Sequence, residues 1–132
     1  MKIQPLTGLA LVGLCVGSVS GAPATDAQVE AELRGLAREI SATLPSGSQQ
    51  SMVVAVNAGP GRRFTYVSVQ SVPAREWTAS MKEHSSRIAR NDYCTNPSLK
   101  AFRHYSVTVT WQISDLEGRH IASNVVSPTD CR

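Results

Sequence analysis

The chain is short of the residues that chemistry needs: it has three histidines and three cysteines in 132 residues. No His/Cys spacing matches a zinc site, and no Gly-x-Ser-x-Gly elbow appears. Gly59-Pro60-Gly61 lacks the Lys-Ser/Thr that completes a phosphate loop, and reads as a hairpin turn. No cofactor and no metal are expected. A formal charge of +3 is too small an excess to argue for nucleic-acid or membrane binding. The uncharged apolar stretch from Leu6 to Val19 is too short to cross a bilayer comfortably. No repeat, linker or low-complexity stretch divides the remainder.

That apolar stretch follows Met1-Lys2-Ile3, with one positive charge, and ends in the small residues Val19-Ser20-Gly21. Residues 1–21 therefore read as a secretory signal peptide, and 22–132 as a single α+β domain. Cleavage after Gly21 keeps Pro23 away from the scissile bond. Membrane association would require lipidation of Cys15, but Leu14 stands before it, where that signal takes Gly, Ala or Ser. Removing Cys15 leaves an even pair, Cys94 and Cys131, in a compartment that favours disulfides.

Thr25 and Gln28 fit a capping box. Val29, Leu33, Leu36, Ala37, Ile40 and Leu44 follow at helical spacing. Ser46-Gly47-Ser48 reads as a turn and Met52–Val56 as a short strand. Phe64–Gln70 reads as a second strand, with Phe64 and Tyr66 on one face and Thr65, Val67 and Val69 on the other. A second helix is expected from about Arg75 to Asn91, burying Trp77, Met81, Ser85 and Ile88. Asn96-Pro97-Ser98 opens a helical turn that carries Leu99 and Phe102 inward. The expected fold is a two-layer α+β sandwich, in the order helix-strand-strand-helix-strand-strand. A four-stranded, mostly antiparallel sheet carries its helices on one face.

The C-terminal quarter is a hairpin. Tyr105, Val107, Val109, Trp111 and Ile113 alternate strictly with polar residues, Asp115-Leu116-Glu117-Gly118 supplies the turn, and Arg119–Val126 returns. A two-residue loop would pair Ile113 with His120 and Val109 with Asn124. A three-residue loop with Gly118 left-handed pairs Ile113 with Ile121 and Val109 with Val125, setting apolar against apolar, and is preferred. It also brings residue 130 beside His104, so that Cys94 and Cys131 close a disulfide worth at most about 4 kcal/mol.

His104 and His120 lie about 33 Å apart at strand rise and cannot share a metal. Asp130 and His104 are near enough in this register for an ion pair; with a serine they would suggest a small hydrolase, but no nucleophile is partnered to them. Asp115 and Glu117 are expected to be solvated. Arg62 and Arg63 on the first hairpin turn, and Arg87 and Arg90 on the second helix, are the candidates for docking an acidic partner.

Ala58-Gly59-Pro60-Gly61, Phe64-Thr65-Tyr66, Cys94, Pro97, Leu99, the strand to Ile113, Asp115-x-x-Gly118-x-x-Ile121 and Asp130-Cys131 carry a resemblance over about Leu44 to Cys131. They resemble a group of small secreted proteobacterial proteins that includes the quorum-sensing-regulated virulence factor family. The disulfide-closed layout is also similar to small pilotins of type II secretion. Where the first family commonly has glycine before the third strand, this chain has His104. The resemblance implies a non-enzymatic periplasmic or secreted protein of envelope or virulence physiology, acting on an unidentified envelope partner. The pilotin alternative implies a secretion chaperone that holds a partner helix in a groove between sheet and helix. Neither implies catalytic residues.

Overall fold

The computed structural model describes residues 23–132, so the expected signal peptide and Cys15 lie outside the described residues. Thr25 caps the first helix, α1 (Asp26–Ser41), with both halves of the capping box formed. Gln28 N donates to Thr25 Oγ1 at 3.2 Å, and Thr25 N donates to Gln28 Oε1 at 2.9 Å. The apolar stripe Val29, Leu33, Leu36, Ala37 and Ile40 is buried as its spacing requires.

The sheet has five strands rather than the four expected, in the spatial order β1 (Ser46–Gly47), β2 (Ser51–Gly59), β3 (Arg63–Gln70), β4 (Thr108–Asp115) and β5 (His120–Val126). The extra strand is the two-residue piece read as a turn. Gly47 sits at φ 127°, and a Cβ there would fall against the Ser51 carbonyl, so only glycine lets the chain fold back onto β2. Neighbouring strands are antiparallel except β3 and β4, which run parallel and align Phe64 with Val109 and Tyr66 with Trp111. A parallel pair needs a crossover, and the second helix, α2 (Ala79–Thr95), lies in it.

α2 starts later than expected. Residues Ala74–Glu76 form a 3-10 turn, and Thr78 then caps α2, its hydroxyl accepting from Met81 N at 3.2 Å. The inward face shifts accordingly to Ser85, Ala89 and Tyr93. Met81, Ile88 and Trp77 are half-buried. The 3-10 turn Pro97–Leu99 and the short helix α3 (Lys100–His104) bury Leu99 and Phe102 as expected.

β4 also starts late, because Ser106 takes φ 56° and interrupts the extended run. Tyr105 to Val107 form the bend that leads in, with Val107 fully buried. At the far end the three-residue loop forms: Asp115 N donates to Arg119 O at 2.9 Å, and Gly118 is left-handed at φ 82°. The register beyond it matches neither expectation. Ser114 faces His120, but Ile113 faces Ala122 and Val109 faces Val126, so Ile121 is an extra residue in β5. This β-bulge puts Ile121, Asn124 and Val126 in the interior and leaves Val125, expected there, 60% exposed.

One buried cluster joins α1, α2, α3 and the inward face of the sheet, including Phe64, Tyr66, Phe102, Val109 and Trp111. The two long helices divide the sheet between them, α1 against β2 and α2 against β5.

Candidate functional site

The last turn of α2 meets a 3-10 turn at the C-terminus, Pro128–Cys131, and Cys94 bonds to Cys131 with Cα atoms 5.3 Å apart. Asp130 closes that turn on itself. Its Oδ2 accepts from Ser127 N at 2.8 Å, and Asp130 N donates to Ser127 O at 3.0 Å. The expected Asp130–His104 pair is therefore replaced by a local cap, while His104 stands edge-on to the ring of Tyr105 at 4.7 Å. The geometry that would have favoured a hydrolase is not assembled. Among the described residues no group of three His, Cys, Asp or Glu could hold a metal ion.

Two hollows follow one another along α2. Arg87, Arg90, Asn91, Cys94, Asp130 and Cys131 line one of about 240 Å3. His84, Arg87, Ile88, Asn91 and Asp92 line the next, of about 320 Å3. Positions 84, 87, 88, 91 and 94 repeat at helical spacing, so the outer stripe of α2 forms a continuous floor. Arg87 is held only at arm's length by Glu83, at 3.7 Å, with both side chains largely in solvent; such a pair restrains little. Burial raises the carboxyl of Asp92 above its ordinary value, and a hydrogen bond with the Asn96 side chain pulls it partly back. A third hollow, of about 400 Å3, lies between α1 and β2 and is lined in part by Arg34, Arg38, Val56 and Asn57.

Of the four arginines read as docking residues, Arg87 and Arg90 come together in one hollow. Arg62 faces inward. At φ 56°, it donates from Nε to Asp26 Oδ1 at 2.6 Å, from Nη1 to Tyr105 O at 2.8 Å and from Nη2 to Ala24 O at 3.0 Å. Its guanidinium thus clamps the first hairpin to the entrance of α1 and the approach to β4. Arg63 is exposed at the start of β3.

Asp115, expected in solvent, is 3% exposed. Its carboxylate accepts three backbone N–H groups: Ala74 at 2.9 Å, Glu117 at 3.0 Å and Arg119 at 2.9 Å. The Ala74 bond leads the causes that hold its pKa below the usual carboxylate range, and the other two bonds and the Arg119 charge add to it. It pins the loop entering α2 to the β4–β5 turn, and so places α2. Two further contacts seat the helix. Asn124 Nδ2 donates to Ser85 Oγ at 3.0 Å, and Tyr93 Oη donates to Val107 O at 2.7 Å. Burial pushes the Tyr93 phenol up to about 12; the Arg103 charge lowers it and Asp130 raises it. The preferred register put Asn124 on the outer face, so only the bulge at Ile121 turns it inward to make this contact.

Comparison with known proteins gives structural likeness only. No family model matches the chain, so the quorum-sensing family is not supported, and no curated protein matches it either. Three solved structures share its fold. The type II secretion pilotin EpsS of Vibrio vulnificus superposes with a TM-score of 0.67 at 16% identity, over 81% of this chain and 94% of its own. The type II secretion pilotin AspS of Vibrio cholerae gives 0.65 at 16% identity, over 80% and 94%. A protein of Pseudomonas aeruginosa described as secreted gives 0.72 at 14% identity, over 85% and 100%. The chain shares the fold of these proteins over 80–85% of its length.

Proposed function

We propose that the protein is a pilotin-like chaperone of the bacterial envelope, exported by residues 1–21, which holds a helical segment of an envelope partner and catalyses nothing. The observation that carries this reading is the superposition on two type II secretion pilotins over nearly their whole length. The outer stripe of α2 is the surface we assign to the partner, because its two adjoining hollows place Arg87 and Arg90 beside Ile88 and the disulfide. Apolar contact at Ile88 and charge contact at the arginines suit an amphipathic helix that carries carboxylates. Periplasmic placement belongs to this proposal, as does an amino terminus near Ala22.

Affinity capture from periplasmic extract tests it. The tagged protein should retain a type II secretion component, and Arg87→Glu/Arg90→Glu should release it while leaving the fold unchanged. Equal capture by the double variant would remove α2 from the site. Normal type II export in a strain that lacks the gene would remove the pilotin reading itself.

A further inference from the structure

We propose that the protein pairs with a second copy of itself through the face of the sheet that carries no helix. This surface lies opposite α2, so it is independent of the partner site above.

The strand registers define its membership. Met52 lies across from Val69, Ala55 from Val67 and Asn57 from Thr65. Thr65 is beside Thr110, and Val67 is beside Gln112. Thr110 faces Val125, and Gln112 faces Ser123. Residues directly paired share a face, and the alternate residues Phe64, Tyr66, Val109 and Trp111 are those buried under the helices. The open face is therefore a layer of valine, threonine, serine and amide side chains. Among the described residues, its only ionisable groups are Arg63 at one end and His120, across from Ser114, at the other. Val125 is 60% exposed, and Val54, the extra residue of a bulge in β2, is 39% exposed.

A solvated sheet face ordinarily carries charge, which keeps it soluble and blocks stacking. This one carries almost none over its centre, although charged residues are plentiful on α1 and α2. That distribution selects the occupant. A charged partner would find nothing to pair with. A second copy presents the same uncharged surface, so a two-fold stack buries no unpaired charge. Four strands about 4.8 Å apart and eight residues at about 3.3 Å make roughly 19 by 26 Å, or about 500 Å2 on each copy. The two copies together cover about 1,000 Å2, the lower limit for a specific association. The pairing is therefore weak and reversible, with sheets stacked about 10 Å apart.

Sedimentation equilibrium of the purified processed protein, from about 10 μM to about 1 mM, reads it directly; that window suits a small, transient interface. The expected result is a monomer that becomes a dimer with rising concentration. Val67→Lys should weaken association roughly tenfold or more, since the two-fold sets each new charge near its own copy. Arg87→Glu/Arg90→Glu should dimerise as the unaltered protein does. Backbone amide shifts of the unaltered protein on dilution give a second reading that needs no variant: they should move at Thr65, Val67, Thr110 and Val125. A monomer at every concentration, association unchanged by Val67→Lys, or shifts confined to α2 would each overturn the proposal.

Discussion

The two hairpins solve one problem in two ways. β2–β3 and β4–β5 both turn through left-handed residues, Gly61 and Arg62 in the first and Gly118 in the second. Both carry a bulge on one strand, at Val54 and at Ile121. They differ in what holds the turn. The second is held largely from within, by the Asp115 carboxylate accepting from Glu117 and Arg119 in its own loop, with Ala74 added from outside. The first is held from outside, by Arg62 reaching to Ala24, Asp26 and Tyr105, and by Glu30 accepting from Gly61 N at 3.4 Å. A buried acceptor can use the N–H groups that a tight turn exposes. A long donor can tie a turn to carbonyls on other elements.

The disulfide beside the second hairpin is the place to press hardest on this contrast. Cys131→Ser frees the C-terminal turn from α2 and should cost roughly 2–4 kcal/mol in denaturant unfolding. It should loosen α2 while the first hairpin, clamped by Arg62, keeps its amide protection. Equal loss of protection in both hairpins would mean that the two are one cooperative unit.

Asp115→Ala should lower the melting temperature by an amount second only to Cys131→Ser, because three backbone N–H groups in part-buried bonds lose one acceptor at once. The pH dependence has a definite sign. A carboxyl held below its ordinary value stabilises the fold above the unfolded pKa, near 4, and loses that contribution as pH falls through its lowered native value. Asp115→Asn should therefore flatten the acid limb of the stability profile below about pH 4. An unchanged acid limb would show that the carboxylate is not what pins this turn.

Arg62→Ala removes three hydrogen bonds from the first hairpin and should cost about 1–2 kcal/mol. The figure stays modest because Asp26, one of its partners, is 73% exposed in its side chain. The loss should appear as faster amide exchange at Ala24–Gln28 and in the bend at Tyr105, not at the β4–β5 turn. Gly118→Val, finally, tests the conformation of the second turn alone. Nothing lies within 4 Å of a Cβ there, so the expected cost of roughly 1–2 kcal/mol is that of a branched residue at positive φ. No change in melting would show that the loop relaxes into another turn.

The partners of Asp115 sort by whether they were legible. Glu117 and Arg119 are two and four residues away, within the turn that Asp-x-x-Gly announces. Ala74 is 41 residues away, and with it comes the burial of the carboxylate. Arg62 is the stronger case: its three contacts lie 36, 43 and 38 residues off. From the residues alone it was one more arginine on a turn, grouped with Arg63, Arg87 and Arg90. Of that group, Arg87 and Arg90 were legible as neighbours because helical spacing puts residues three apart on one side.

By itself the sequence determined what depends on a few neighbouring residues. The capping box of Thr25 and Gln28, the stripe of α1, the alternation of β3, the left-handed Gly118 and the inward turn of Leu99 and Phe102 are all of this kind, because backbone and side-chain geometry repeat over 2 or 3.6 residues. The pairing of Cys94 with Cys131 was legible once Cys15 was read as part of a signal peptide. Tertiary structure alone decided the parallel contact of β3 with β4, the bulges at Val54 and Ile121, the added strand at Ser46–Gly47 and the burial of Asp115. Each of these balances a locally acceptable alternative against packing with a distant element. Val125 is as apolar as Val126, and only the seat of α2 on β5, through Ser85 and Asn124, selects which of them turns inward.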